Sequence, residues 1–149
     1  MKTIGRITLG LGAALLIAAP AMAALDEPIQ AKVPFSFVVE QKTLPAGTYI
    51  VEPADNSDPT ALVLRTPDNK QRVVILAEES DMRVAPDRSE LVFDEVGGKY
   101  FLCQVWQAGS LEGNALPKNE SERALEKTRS MGHGHRSVMA KSMMGMRNG

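Results

Sequence analysis

The chain has 149 residues, a formal net charge of −1, 44 % hydrophobic residues and one cysteine. That length suits one domain and excludes a repeat array, and the composition is that of a globular chain rather than a disordered one. The lone Cys103 cannot form an internal disulfide and excludes a multi-cysteine zinc or iron–sulfur centre, so an apolar core has to hold the domain together.

Residues 1–23 read as a secretory signal peptide. Lys2 and Arg6 open it, an apolar run over residues 7–19 follows, and Ala21-Met22-Ala23 fits the small-x-small rule for signal peptidase. The run is shorter than the roughly 20 apolar residues of a bilayer span. Cleavage after Ala23 is expected, with export to the periplasm or the outside medium and no transmembrane span afterwards. Cleavage leaves 15 of the 17 bases against all 18 acids. Five bases (Lys127, Arg129, Arg136, Lys141, Arg147) and no acid follow Glu126, so an acidic body carries a basic tail. The acidic body argues against nucleic acid as a partner.

From Ile29 to Gln107 the apolar residues alternate with period two, the signature of strands. Val33, Phe35, Phe37 and Val39 share one face of a first strand, with Pro34 placing it at a start or an edge. Leu44-Pro45-Ala46-Gly47 predicts a turn, and residues 48–52 a second strand. Residues 53–59 form a polar loop, and residues 61–66 a third strand. Asp68-Asn69-Lys70 connects to a fourth over residues 72–78, whose run Val73-Val74-Ile75-Leu76 is apolar on both faces and predicts a central position. After a loop over residues 79–88 comes a fifth strand, residues 90–96, with Leu91 and Phe93 inward. Gly97-Gly98 is a two-residue hairpin signal. It leads to a sixth strand, residues 99–107, with faces Phe101/Cys103/Val105 and Tyr100/Leu102/Trp106. Asn119 followed by Glu122 resembles a capping box, and the helix it starts has a thin apolar face of Ala124 and Leu125.

The expected fold is all-β: a six-stranded antiparallel meander rolled into a small barrel or sandwich, with one C-terminal helix. The domains are a signal peptide over 1–23, an antiparallel β domain over 24–118, a helix over 119–130 and a disordered Met/His/Gly-rich basic tail over 131–149.

The tail concentrates the unusual chemistry. Both histidines, His133 and His135, lie there, with Met131, Met139, Met143, Met144 and Met146. Thioethers suit Cu(I), and imidazoles suit Cu(II), Ni(II) and Zn(II). His133, His135, Met139, Met143, Met144 and Met146 are thus candidate copper or nickel ligands. The other readings are an inert solvated segment and peripheral contact of a basic, Met-striped helix with an anionic membrane or a partner surface. No nucleophile elbow, phosphate loop or zinc-protease motif is present. Cys103 reads as a buried inert thiol, because no histidine precedes the tail to activate it. Glu78, Glu79 and Asp81, and the Asp55-Asn56-Ser57-Asp58 run, read as solvated loop acids rather than calcium ligands. Tyr100 and Trp106 read as core rather than as a ligand stripe.

Val33-Pro34-Phe35-x-Phe37-x-Val39, Leu44-Pro45-Ala46-Gly47-Thr48-Tyr49-x-Val51, Tyr100-Phe101-Leu102-x-x-Val105-Trp106 and the segment from Leu116-Pro117-Lys118 to Glu126 together resemble a family of small exported bacterial β-rich proteins of unassigned function. The Leu-Pro-Ala-Gly-x-Tyr phrase is also similar to strand-turn-strand segments of transthyretin-like and carboxypeptidase-regulatory-like modules. The resemblance covers residues 33–126. It implies export and a β fold, carries no catalytic residues across, and does not include the tail. The expected function is that of a non-enzymatic binding or structural module of the cell envelope, with an unknown envelope protein or surface as partner. A copper- or nickel-binding protein and a small-ligand or lipid carrier with a barrel cavity are the alternatives.

Overall fold

Eleven strands and one helix account for the ordered elements of the computed structural model, which describes residues 25–55, 58–82, 84–128 and 134–143. The expected signal peptide lies outside the described residues. The protein is all-β with one short helix, as its alternating pattern predicts. The architecture is a curled half-barrel sheet, and the strands are more numerous and less simply ordered than a six-stranded meander.

Pro34 splits the first predicted strand. It has no amide proton to donate to a ladder, so β1 (Ile29–Val33) ends before it and β2 (Phe37–Val39) begins after it. The two take different partners. β1 pairs antiparallel with β4 (Gly47–Asp55), whereas β2 pairs antiparallel with β3 (Lys42–Leu44) and parallel with β9 (Lys99–Trp106). The predicted Leu-Pro-Ala-Gly turn separates β3 from β4. It is locked by Tyr49, whose buried hydroxyl donates to Pro45 O at 2.6 Å.

β4 pairs with β5 (Asp58–Arg65), and β5 with β6 (Arg72–Leu76) across a connection in which Asn69 takes a positive φ of 57°. β6 ends the hydrogen-bonded path instead of lying at its centre. Only Val73 and Ile75 face inward, and Val74 and Leu76 are 52 % and 65 % exposed. Both-sided apolarity reflected an exposed edge here, not a second buried face. Past Ala77 the chain continues as β7 (Glu78–Asp81), which pairs with β10 (Glu112–Ala115), itself paired with β9. The acids Glu78, Glu79 and Asp81 therefore sit on a strand rather than a loop. β8 (Glu90–Val96) joins β9 through Gly97 and Gly98, both at positive φ, as the hairpin signal requires.

The largest departure is β11 (Gly134–Ser142), a nine-residue strand where a disordered tail was expected. Residues 134–139 pair with β8, and residues 140–142 pair with β1. β11 thereby joins the β3-β2-β9-β8 half of the sheet to the β1-β4-β5-β6 half. Its composition is poor in β formers, but two unpaired edges hold it. Ala140 N donates to Ser89 O at 2.7 Å and Met143 N to Pro28 O at 2.9 Å, which extends the attachment at both margins. Pairing with two strands satisfies backbone groups that would otherwise stay open, so tertiary context overrides composition.

Alternation along β11 sets two faces. Val138 and Ala140 pack on the core, and Arg136 lies over the Phe35 and Tyr100 rings, 5.1 and 5.7 Å from their centroids. Its Nη1 also donates to Tyr100 Oη at 3.2 Å. Beneath it, Phe35 stacks on Tyr100 at 4.1 Å and meets Phe93 edge-on, and Phe37 bridges Phe93 and Tyr49. Side chains thus fill the concave side.

β9 does not keep the predicted faces. The register slips between Val92 and Phe93, leaving Cys103 as the extra residue of a bulge. Leu102 and Val105 both join the core, and Phe101 and Trp106 are buried on the opposite, convex side. Gly113 lies directly opposite Trp106. A Cβ at Gly113 would come within 2.3 Å of the indole, which is only 1 % exposed and has nowhere to move. Gly113→Ala is expected to lower unfolding free energy by about 1–3 kcal/mol in urea titration, the usual cost of overpacking.

Candidate metal centre

The bulge, the inserted strand and the helix converge on the convex face of β8. Asp94 on β8 stands directly opposite His135 on β11, and since Arg136 turns to the concave side, His135 must turn to the convex one. His135 Nδ1 lies 2.6 Å from Asp94 Oδ1. The bulge brings Cys103 to the same carboxylate oxygen, its thiol within hydrogen-bonding reach of Asp94 Oδ1 at 3.5 Å and of Val92 O at 3.3 Å. A thiol, an imidazole and a carboxylate from three adjacent strands therefore place their ligand atoms within 4.8 Å of one another. Asp94 is buried, Cys103 half-buried and His135 exposed.

The helix α1 (Glu120–Thr128) packs against β8, the strand that carries Asp94. Asn119 caps it as predicted, its Oδ1 accepting from Glu122 N at 2.8 Å, and its Nδ2 ties the helix start to Glu40 O on the β2–β3 turn. Of the thin apolar face read from the sequence, Ala124 is exposed and Leu125 half-buried. The one buried residue of α1 is the acid Glu122, at 3 % exposure. Lys118, close by, pairs with Glu126.

Electrostatics follow from this crowding. Burial, and then the negative charges of Asp94 and Glu122, push the Cys103 thiol up to about 12. Both effects disfavour the thiolate in the metal-free protein. Burial and Asp94 push Glu122 from 4.5 up to about 6, against the opposing pull of Lys118.

Of the tail ligands named from sequence that fall among the described residues, only His135 joins this group. Met139 lies four residues further along a strand, about 13 Å away. It sits instead in a cleft of about 390 Å³ with Glu27, Arg88 and Lys141, its Sδ accepting from Arg88 Nη1 at 3.1 Å. Met143 is at the far end of β11, where its amide bonds to Pro28. Met131, His133, Met144 and Met146 lie outside the described residues. Asp94 was not singled out in the sequence, and Glu122 was named there only as the capping-box partner of Asn119. Asp94 is one of three acids on β8, beside Glu90 and Glu95, so residue type alone did not mark it.

Comparison with family models, with curated proteins and with solved structures returns no match to this chain.

A raised folded-state pKa means that the folded protein holds its proton more tightly than the unfolded chain. The contribution of Glu122 is full below about pH 4.5 and is lost as pH rises through about 6. Metal-free protein is expected to lose on the order of 1–2 kcal/mol of stability across that window. Glu122→Gln should flatten the loss, as read by urea midpoints at a series of pH values.

Proposed function

We propose that this protein is an exported, non-enzymatic binding module of the bacterial cell envelope whose ligand is a borderline-soft divalent metal ion held by Asp94, Cys103 and His135. The observation that carries the reading is the convergence of sulfur, nitrogen and oxygen donors from three strands within 4.8 Å. This donor set suits Zn(II), Cu(II), Ni(II) or Co(II) far better than Mg(II) or Ca(II), which take oxygen ligands. A bound cation also resolves the local electrostatic conflict. It turns the protonated thiol into a thiolate ligand and neutralises the carboxylates around it.

The signal-like residues 1–23 support export, and among the described residues no helix is long and apolar enough to cross a membrane. The metal reading keeps the ion class proposed for the tail and moves its seat. A strand, not a flexible loop, presents His135, and Cys103 takes the soft-donor role assigned to the methionines. The carrier reading is not favoured, because Phe37, Tyr49, Phe93 and their neighbours occupy the concave side.

Titration of the purified protein with Co(II), followed by competition with Zn(II), tests the proposal. One equivalent is expected to give a thiolate-to-cobalt charge-transfer band. Cys103→Ser should abolish the band, and His135→Ala should weaken binding by more than the roughly 10–100-fold that loss of a supporting residue costs. Undiminished binding by the double variant would overturn the assignment.

A further inference from the structure

We propose that β6 is a dimerisation edge, along which two copies of this chain pair antiparallel with Ile75 on the two-fold axis. The proposal does not depend on the metal reading. Among the described residues β6 ends the hydrogen-bonded path and has one neighbour, β5. Its hydrogen bonds fix which groups are open. Thr66 N donates to Gln71 O at 3.0 Å and Ala77 N to Thr60 O at 2.8 Å, at the two ends of the β5–β6 ladder. Bonded and non-bonded pairs alternate along an antiparallel ladder. Gln71, Val73, Ile75 and Ala77 therefore turn their backbone groups to β5, and Arg72, Val74 and Leu76 turn theirs away from the sheet. The strand at the other end of the path, β3, is three residues long and carries an exposed lysine, Lys42, both usual protections of an edge. β6 runs for five residues in regular register with no lysine, proline or bulge.

The side chains commit this edge to a second copy. Arg72, Val74, Leu76 and Glu78 are all exposed, and buried Ala77 carries the alternation across from Leu76 to Glu78. Val74 stands opposite Val63, which is 2 % exposed, so an apolar strip on this face reaches the rim of the sheet and ends there uncovered. The outward order is base, apolar, apolar, acid, which is complementary to its own reverse. Two such strands laid antiparallel about Ile75 place Arg72 opposite the partner's Glu78 and Val74 opposite the partner's Leu76, and symmetry repeats both pairs. This register also keeps the bonding phase, because Val74 and Leu76 both belong to the set whose amides and carbonyls point outward. Among the described residues neither Arg72 nor Glu78 has an ion-pair partner within its own chain. An unrelated extended peptide would close the backbone edge, but a second copy also covers the apolar rim and matches both charges.

Sedimentation equilibrium of the purified protein over a concentration series tests this. The mass is expected to rise toward twice that of the monomer as concentration approaches about 1 mM, and to do so in the presence of a chelator as well. Val74→Lys puts a charge into the apolar pair and should weaken the dimer by about tenfold or more. Arg72→Glu and Glu78→Arg, each alone, set like charges against one another and should weaken it similarly, whereas the double swap should restore it to within about threefold. All three positions are exposed, so the variants keep the fold, which an unchanged circular dichroism spectrum checks. A monomer at every concentration, or a dimer unmoved by Val74→Lys, would overturn the proposal. Charge reversals that the double swap does not rescue would overturn the pairing about Ile75. A dimer that dissociates in chelator would place the contact elsewhere and overturn it too.

Discussion

The architecture depends on one strand addition. β8 and β1 each present an open edge, and the C-terminal strand closes both, pairing first with β8 and then with β1. Open edges expose unpaired amides and carbonyls and invite association with other chains. Filling them from the same chain costs only the ordering of nine residues, offset by the ladder hydrogen bonds and by the burial of Val138 and Ala140 against the core. The addition also dictates chemistry. Once Arg136 lies on the Phe35 and Tyr100 rings, strand geometry leaves His135 no choice but the convex face opposite Asp94.

The rest of the site comes from two local irregularities on the same face. The β9 bulge inserts one residue, and that residue is Cys103, turned toward the Asp94 carboxylate by the break in alternation. The helix is anchored by an acid rather than by a leucine. Each is unfavourable when taken alone: an unpaired bulge residue, a thiol facing a carboxylate, a buried carboxyl oxygen. Departures from locally consistent folding of this kind concentrate at functional sites.

Much of the fold was legible in the residues. The Leu44-Pro45-Ala46-Gly47 turn, the Gly97-Gly98 hairpin and the Asn119 cap all announce themselves through backbone chemistry that few residues can supply. The alternation of Leu91 and Phe93 marked an inward face correctly. What was illegible depends on partners distant in the chain. Residues 134–142 have too few β formers to predict a strand, and only the open edges of β8 and β1 make one. Val74 and Leu76 are as apolar as core residues yet face outward, and no local signal distinguishes these cases. The bulge could not be read because its cause is cross-strand register, not residue type. His135 was named as a ligand from its imidazole alone, but Cys103 lies 32 positions earlier, and nothing in the chain order joins the two.

The most direct test of this account is native-state amide exchange along residues 134–142. The inserted strand predicts slow exchange for the amides bonded to β8 and β1, within about tenfold of the protection in those two strands. Exchange of these amides at the rate of a free peptide would contradict it, and would remove His135 from the face on which Asp94 and Cys103 meet.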